Sequence, residues 1–288
     1  MKTGEGTVAS NFCLSRKTEG TRGPVYIVFS DLDGTLLDHN TYSHAGAQEG
    51  IDLLRERSVP LVLVSSKTLP EMTELHSMLG LGSPFVFENG GGIAWPHDSS
   101  TGKPLRVEFQ GLPERELRDK FNMLNTVIPV PVKSILDMSI EEVMERTGLP
   151  HKRAALARER RSSIPFILQE KHDIDFFELE KINIKLYEQG LAITKGGRFL
   201  HLISRGSTKG SAVRKIISSY TLLHEKEDVV TMGVGDSEND IPMLKEVDRP
   251  CLVRKHDGSI IQTGLPEVFI TKNIGPAGFT EAVKTLWI

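Results

Sequence analysis

Val25-Tyr26-Ile27-Val28-Phe29-Ser30-Asp31-Leu32-Asp33-Gly34-Thr35 is the stretch that decides the fold. Its first half is short, β-rich and apolar without alternation, the pattern of a strand buried on both faces. Its second half places two carboxylates and a glycine at the strand's carboxyl end. A helical pattern follows through Ile51, Leu53 and Leu54. A second buried run, Leu61-Val62-Leu63-Val64, ends in Ser65-Ser66-Lys67-Thr68. Leu69-Pro70-Glu71 opens the next helix, with Leu75, Met78 and Leu79 on one face. Phe85-Val86-Phe87 is a third strand, closed by Glu88-Asn89-Gly90-Gly91-Gly92. Strand, helix, strand, helix, strand at this spacing predicts parallel βαβ units.

The rhythm changes after Gly92. Helical stretches (112–124, 139–147, 152–160) mix with strand-like pieces at 166–168, 191–194 and 199–202. From Thr208 the βαβ rhythm returns: a helix from Lys209 to about Tyr220, then the buried strand Val229–Val234, ending in Gly235-Asp236-Ser237-Glu238-Asn239-Asp240. Short strands near Cys251–Val253 and Val268–Ile270 complete the sheet. The expected fold is α/β: a parallel-sheet, Rossmann-like core of residues 24–92 and 203–288. An α+β domain of residues 93–202 is inserted into it. Residues 1–23 read as a poorly ordered leader ending at Gly23-Pro24.

A chain of 288 residues is long enough for one large domain or two unequal ones. With 39% hydrophobic and 25% charged residues, it has the composition of a soluble globular protein. A net charge of −3 argues against nucleic acid or an anionic membrane as partner. Cys13 and Cys251 lie far apart and no Cys/His group has zinc spacing, so a reducing, cytoplasmic setting fits. No run is long enough to span a bilayer, and the N-terminus lacks the apolar core of a secretory signal.

In an open parallel sheet, ligands bind beyond the carboxyl ends of the strands. Three strand ends deliver Asp31, Asp33, Ser65, Asp236 and Asp240 to one edge. So many carboxylates need a cation, and oxygen ligands without Cys or His favour magnesium over zinc. Each motif alone has an ordinary structural reading. Asp-x-Asp-Gly is a common turn, and Gly-Asp-Ser after a strand is a common helix cap. Their occurrence together, in order, each after a buried strand, carries the functional reading.

These motifs resemble those of the haloacid dehalogenase superfamily. Asp31-Leu32-Asp33-Gly34-Thr35-Leu36-Leu37 is similar to its nucleophile motif, Ser65 to its second motif, Lys209 to its third, and Gly235–Asp240 to its fourth. The long insert resembles the large cap of its sugar-phosphate phosphatase branch. The resemblance implies that Asp31 is a nucleophile attacking phosphorus and that Asp33 is the general acid and base. Gly34 lets the chain turn so that the Asp33 backbone carbonyl can face a metal. By the same resemblance Asp31, Asp33 and Asp236 hold Mg²⁺, with Asn239 and Asp240 supporting them. Ser65 donates to a phosphoryl oxygen, and Lys209 neutralises the charge on the phosphoryl group and Asp31. A cation at a helix start opposes the helix dipole, which favours a functional Lys209.

Four further stretches narrow the resemblance to the mannosyl-3-phosphoglycerate phosphatases: Val64–Thr68, Glu88–Ile93, Arg160–Phe166 and Leu191–Phe199. The implied partner is a small sugar-phosphate. Gly196-Gly197 lets backbone N–H groups approach an anion, and Arg198 can pair bidentately with a carboxylate, although Gly-Gly between strands is also a plain hairpin turn. Lys67 is placed to support the phosphate or the substrate carboxylate. Asn89 and Gly90 lie where core becomes cap, offering close substrate approach or a flexible joint. Ile164 stands where the family has glutamate and Ser162 where an aromatic is common, which leaves the sugar open. The basic run of Lys152, Arg153, Arg158, Arg160 and Arg161 reads as a solvated helix face from which one member could reach substrate. The rival readings are a phosphatase for glucosyl-3-phosphoglycerate or sucrose 6-phosphate, a phosphotransferase or mutase using the same nucleophile, and a silent sugar-phosphate-binding regulator.

Overall fold

The computed structural model describes residues 23–96, 106–172, 174–224 and 227–286; the expected leader, apart from Gly23, lies outside them. The chain begins with β1 (Val25–Ser30), α1 (Gln48–Glu56), β2 (Leu61–Val64), α2 (Leu69–Met78) and β3 (Phe85–Phe87). It turns back through β4 (Gly92–Trp95) and β5 (Arg106–Phe109). There follow α3 (Glu114–Phe121), α4 (Leu124–Val127), β6 (Val132–Ser134), α5 (Ile140–Thr147), α6 (His151–Ala157) and β7 (Ser163–Leu168). Next come α7 (Phe176–Leu186), β8 (Leu191–Lys195) and β9 (Leu200–Ser204). The chain closes with α8 (Lys209–Leu223), β10 (Val229–Gly235), α9 (Ile241–Leu244), β11 (Arg249–Arg254), β12 (Phe269–Ile274) and α10 (Gly275–Leu286).

The larger sheet runs β12-β11-β10-β1-β2-β3-β4-β5. The six strands from β12 to β3 are parallel, as the βαβ spacing predicts. β1 alternates its side chains between two apolar layers: Val28 packs on one face with Leu61, Leu63 and Phe279. Ile27 and Phe29 pack on the other with Val62, Val64 and Val213. That double burial is why β1 shows no polar alternation. In α2 the buried residues are Met72 and His76, while Met78, expected on the apolar face, is exposed.

The expected boundary at 92/93 falls inside this sheet. β4 pairs antiparallel with β3, and β5 with β4. Ile93 and Trp95 belong to one apolar layer and Ala94 to the other. The chain leaves the larger sheet after Phe109. At the far end, β9 continues in the smaller sheet to Ser204, two residues past the expected return.

The smaller sheet runs β6-β7-β9-β8, antiparallel throughout. Ile164, Phe166, Leu200 and Leu202 bury one face beneath α3, α4 and α7. A second cluster gathers Ile135, Val143, Ala154 and Phe199 around α5 and α6. The inserted segment is therefore a sheet-and-helix cap, as the mixed pattern predicts.

Polar contacts join cap and core. The fully buried Glu88 carboxylate accepts the N–H of Arg161 at 2.8 Å, the N–H of Ser162 at 3.0 Å and the hydroxyl of Ser163 at 2.7 Å. Arg160 donates to the Ser66 carbonyl at 2.7 Å, and Thr68 to the Leu156 carbonyl at 3.0 Å. Of the basic run, Arg160 thus anchors the cap, Arg158 donates to the Leu136 carbonyl, and Lys152 pairs with Glu74 on the surface. Among the described residues no helix is long and apolar enough to cross a membrane.

Candidate active site

β1 is the strand at which the sheet's winding reverses: β2 and β3 extend to one side, β10 to β12 to the other. Such a switch point leaves a crevice at the carboxyl ends of the central strands. Register fixes what enters it. Ser30 lies opposite Val234 on one side and Leu63 on the other. The residues that follow, Asp31, Gly235-Asp236 and Val64-Ser65, therefore emerge together.

Asp31, Asp236 and Asp240 place carboxylate oxygens within 4.8 Å of one another, all three buried. The Lys209 ammonium reaches this cluster from the first turn of α8, pairing with Asp31 and, at 2.6 Å, with Asp240. A Thr208 capping box holds that turn: the Thr208 hydroxyl accepts the Ser211 N–H at 3.1 Å while Ser211 accepts the Thr208 N–H at 3.0 Å. Fully ionised, three carboxylates and one ammonium would leave two negative charges unbalanced in a buried space. Burial, reinforced by Asp240, pushes the Asp31 carboxyl up to about 7 against the pull of Lys209. Burial and the neighbouring Asp240 and Asp31 push Asp236 up to about 8. Burial opposes the Lys209 charge, but Asp240 and Asp31 overcome it and hold the ammonium well above its ordinary range.

The carboxylates differ in how much of them is free. Asp240 Oδ2 accepts the N–H groups of Asp236 at 3.0 Å and Ser237 at 2.9 Å, and its Oδ1 holds Lys209. Asp240 is thus a brace for the loop, with little left to offer an ion. Asp236 Oδ1 is buried without any hydrogen-bond partner. An orphaned carboxylate oxygen beside Asp31, in a buried cluster of oxygen donors that would be two charges short of neutrality when ionised, fits a hard divalent cation held by Asp31 and Asp236. Asn239 donates to Asn89 at 3.1 Å, fastening the last acidic loop to the turn after β3.

Asp33 stands apart from the buried cluster, its carboxylate ion-paired with Lys67 at 2.8 Å. Its neighbour Gly34 has φ +88°, and a Cβ there would lie 2.6 Å from Asp236 Oδ2. Gly34→Ala combines a disfavoured backbone with a clash that displaces the Asp236 carboxylate. It should cost about 1–3 kcal/mol of stability and lower turnover at least about tenfold, measured by thermal unfolding and phosphate release. The Ser65 hydroxyl accepts the Lys67 N–H at 3.2 Å, leaving its own proton to donate into the crevice. Asn89 and Gly90 form a turn with positive φ at Glu88, Asn89 and Gly90 in succession. A Cβ on Gly90 would sit 2.1 Å from the Thr208 carbonyl oxygen, so this turn packs directly on the start of α8.

The cap residues divide. Gly196 donates its N–H to the Phe199 carbonyl at 3.0 Å, closing the hairpin, so that group is spent rather than offered to an anion. A Cβ on Gly196 would come 2.8 Å from His201 Nε2, so the glycine makes room for that ring. Gly197 is at the exposed tip. Arg198 leaves the hairpin for the core, donating to the Tyr42 hydroxyl with its guanidinium 5.8 Å from the ring centre. The Lys67 ammonium lies 5.2 Å from the same ring. Arg198, Tyr42, Lys67 and Asp33 thus form one connected group. A cleft of about 290 Å³ flanks the hairpin, lined by Arg146, Lys195, His172 and Phe199 among others, and none of the core carboxylates lines it.

Three residues of this region have contacts to which the sequence alone assigns no role. Glu88 had a signal, a charged side chain between a buried strand and a glycine turn. Tyr42 had none, because its partners lie 25 and 156 positions away in the chain. His201 lies within an apolar strand pattern. It is buried with its Nδ1 unpartnered, and burial, with the Arg160 and Lys209 charges nearby, pushes it down to about 3.

A family model described as haloacid dehalogenase-like hydrolase matches residues 28–125 and 143–262. A Persephonella marina protein named glucosyl-3-phosphoglycerate/mannosyl-3-phosphoglycerate phosphatase is 37% identical over 265 residues, covering 89% of this chain and 95% of its own. A Methanococcoides burtonii protein of the same name is 36% identical over 274 residues, covering 91% and 97%. Among solved structures, a Streptococcus mutans protein superposes with a TM-score of 0.66 at 18% identity, covering 91% of this chain and 99% of its own.

Proposed function

The chain belongs to the haloacid dehalogenase-like hydrolases and is a phosphoric monoester hydrolase, and from that premise we propose that it removes the phosphate of a glycosyl-3-phosphoglycerate. Mannosyl-3-phosphoglycerate is the first substrate of choice and the glucosyl compound the second. The observation that carries this reading is the nearly full-length match to two relatives named for both substrates. The connection from Arg198 through Tyr42 to the Lys67–Asp33 pair supports it. It sets a cation for a second anionic group near the carboxylate that serves the leaving oxygen.

In the proposed chemistry an Asp31 oxygen bonds to phosphorus as the ester P–O bond breaks. Asp33 delivers its proton to the departing alkoxide. Asp33 then takes a proton from water as that water attacks the aspartyl-phosphate, releasing phosphate and restoring Asp31. Ser65 donates to a phosphoryl oxygen, and Lys209 holds Asp31 oriented while offsetting its charge. Asp31 and Asp236, with the Asp33 backbone carbonyl, are the proposed holders of Mg²⁺. When bound, the ion supplies two positive charges against the repulsion between nucleophile and phosphate dianion.

Phosphate release from mannosyl-3-phosphoglycerate, glucosyl-3-phosphoglycerate, 3-phosphoglycerate and sucrose 6-phosphate, each with magnesium and with chelator, tests the reading. Preference for a glycosyl-3-phosphoglycerate, lost with chelator, is the expected result. Preference for sucrose 6-phosphate would overturn the substrate, and no turnover of any ester would revive the binding-regulator reading.

The metal reading has a second readout. Magnesium at about a hundred times its dissociation constant stabilises a folded site by about 2.7 kcal/mol, which shifts the melting temperature by several degrees. Asp236→Asn should abolish that shift; a shift of undiminished size would remove Asp236 from the metal site.

A further inference from the structure

Tyr42 belongs to the core, yet its side chain is shared with the cap. It leaves a tight turn in which the Asp38 carboxylate accepts the N–H groups of Asn40 at 3.1 Å and Thr41 at 2.8 Å, and Tyr42 itself has φ +56°. Side chains other than glycine rarely hold such a conformation without a reason elsewhere in the structure. The ring packs against the α5–α6 cluster of the cap, and its hydroxyl donates to the Thr147 carbonyl at 3.3 Å while accepting from Arg198. Lys67, bonded to Asp33, lies against the same ring.

The proposed substrate gives this arrangement a purpose. In 3-phosphoglycerate the ester oxygen and the carboxylate sit at opposite ends of a three-carbon chain. The group protonating that oxygen and the group gripping that carboxylate must therefore be held a few ångströms apart. One of them, Asp33, is on the core; the other, Arg198, is on the cap. Tyr42 bridges the two sides, its hydroxyl accepting from Arg198 and its ring lying 5.2 Å from the Lys67 ammonium.

We infer that Tyr42 is a positioning residue that docks the cap's Arg198 beside the Lys67–Asp33 pair, and so sets selectivity for phosphate esters whose leaving group carries a carboxylate. This rests on the substrate reading above. The Asp33–Lys67 ion pair has its own 2.8 Å contact and does not depend on the ring. Loss of Tyr42 is thus felt at the carboxylate end, not in the basic chemistry.

The test compares Tyr42→Phe, Tyr42→Ala, Arg198→Ala and the Tyr42→Phe/Arg198→Ala double variant on two esters, the preferred glycosyl-3-phosphoglycerate and p-nitrophenyl phosphate. The second ester carries no carboxylate and its leaving group needs no proton. Tyr42→Phe loses a charge-assisted hydrogen bond, and KM for the glycosyl ester should rise about tenfold with kcat changed much less. Tyr42→Ala should raise it further. Turnover of p-nitrophenyl phosphate by Tyr42→Phe should change less than about twofold, and in the Arg198→Ala background Tyr42→Phe should add nothing to the loss on the glycosyl ester. Equal losses on both esters, or additive losses in the double variant, overturn the inference while leaving the substrate reading intact. A wild-type protein with no preference for the glycosyl ester over p-nitrophenyl phosphate overturns the substrate reading, and the inference with it.

Discussion

Asp31→Asn should abolish turnover, lowering phosphate release by roughly 10⁴-fold or more, while the protein folds and melts within about 1 kcal/mol of the parent. The carboxamide keeps the shape of the side chain but has no anionic oxygen to bond phosphorus. The fold has little to lose. Asp31 is buried among like charges, and its removal relieves repulsion that burial and Asp240 impose. Lys209 keeps its 2.6 Å partner in Asp240. Phosphate release and thermal unfolding on the same preparation check both halves. A folded variant that retained more than a few per cent of activity would sink the nucleophile assignment.

Lys209→Met should damage both stability and activity. The ammonium is fully buried and is the partner of Asp31 and Asp240. Its loss leaves two carboxylates uncompensated in a closed space, and breaking such a group costs about 3–5 kcal/mol. Turnover should fall at least about 10³-fold, because the nucleophile loses its orienting contact and the phosphoryl group its counter-charge. The sign of the pH dependence follows from the carboxylates. Folded-state values raised above the unfolded ones mean that stability is present at low pH and lost as pH rises through the folded value. With Asp31 already pushed up to about 7 in the parent, the deficit of Lys209→Met should be larger at pH 8 than at pH 5. Urea unfolding at the two pH values measures it; a deficit larger at pH 5 would show that the ammonium does not offset these carboxylates.

The core and its acidic crevice were legible because each feature is local. A buried strand writes itself as a continuous apolar run, and the residues that leave it are its immediate successors. Asp31, Ser65, Asp236 and Asp240 needed only the parallel order of three strands to converge. Lys209 was legible from the motif its short stretch resembles, with its unfavourable charge at a helix start as a secondary sign. The edge of the core was not, because the run Gly90-Gly91-Gly92 reads as an ending. In the fold it is a reversal, after which Ile93 and Trp95 return to the same apolar layer. The cap's inward-facing groups were less legible still. Gly196-Gly197 promised free N–H groups, but the hairpin uses the first, and the glycine's missing side chain serves the His201 ring. Tyr42 and Glu88 act through contacts made across long stretches of chain, and such contacts leave no periodic trace.

The Glu88 carboxylate has a mechanical consequence. It grips the segment leading into β7 through the N–H groups of Arg161 and Ser162 and the hydroxyl of Ser163, from within a turn that itself packs on the base of α8. Separating the two would strip a buried carboxylate of three donors and leave two amides without their acceptor. Cap and core are thus riveted at Glu88, beside the strand ends that carry the acidic crevice.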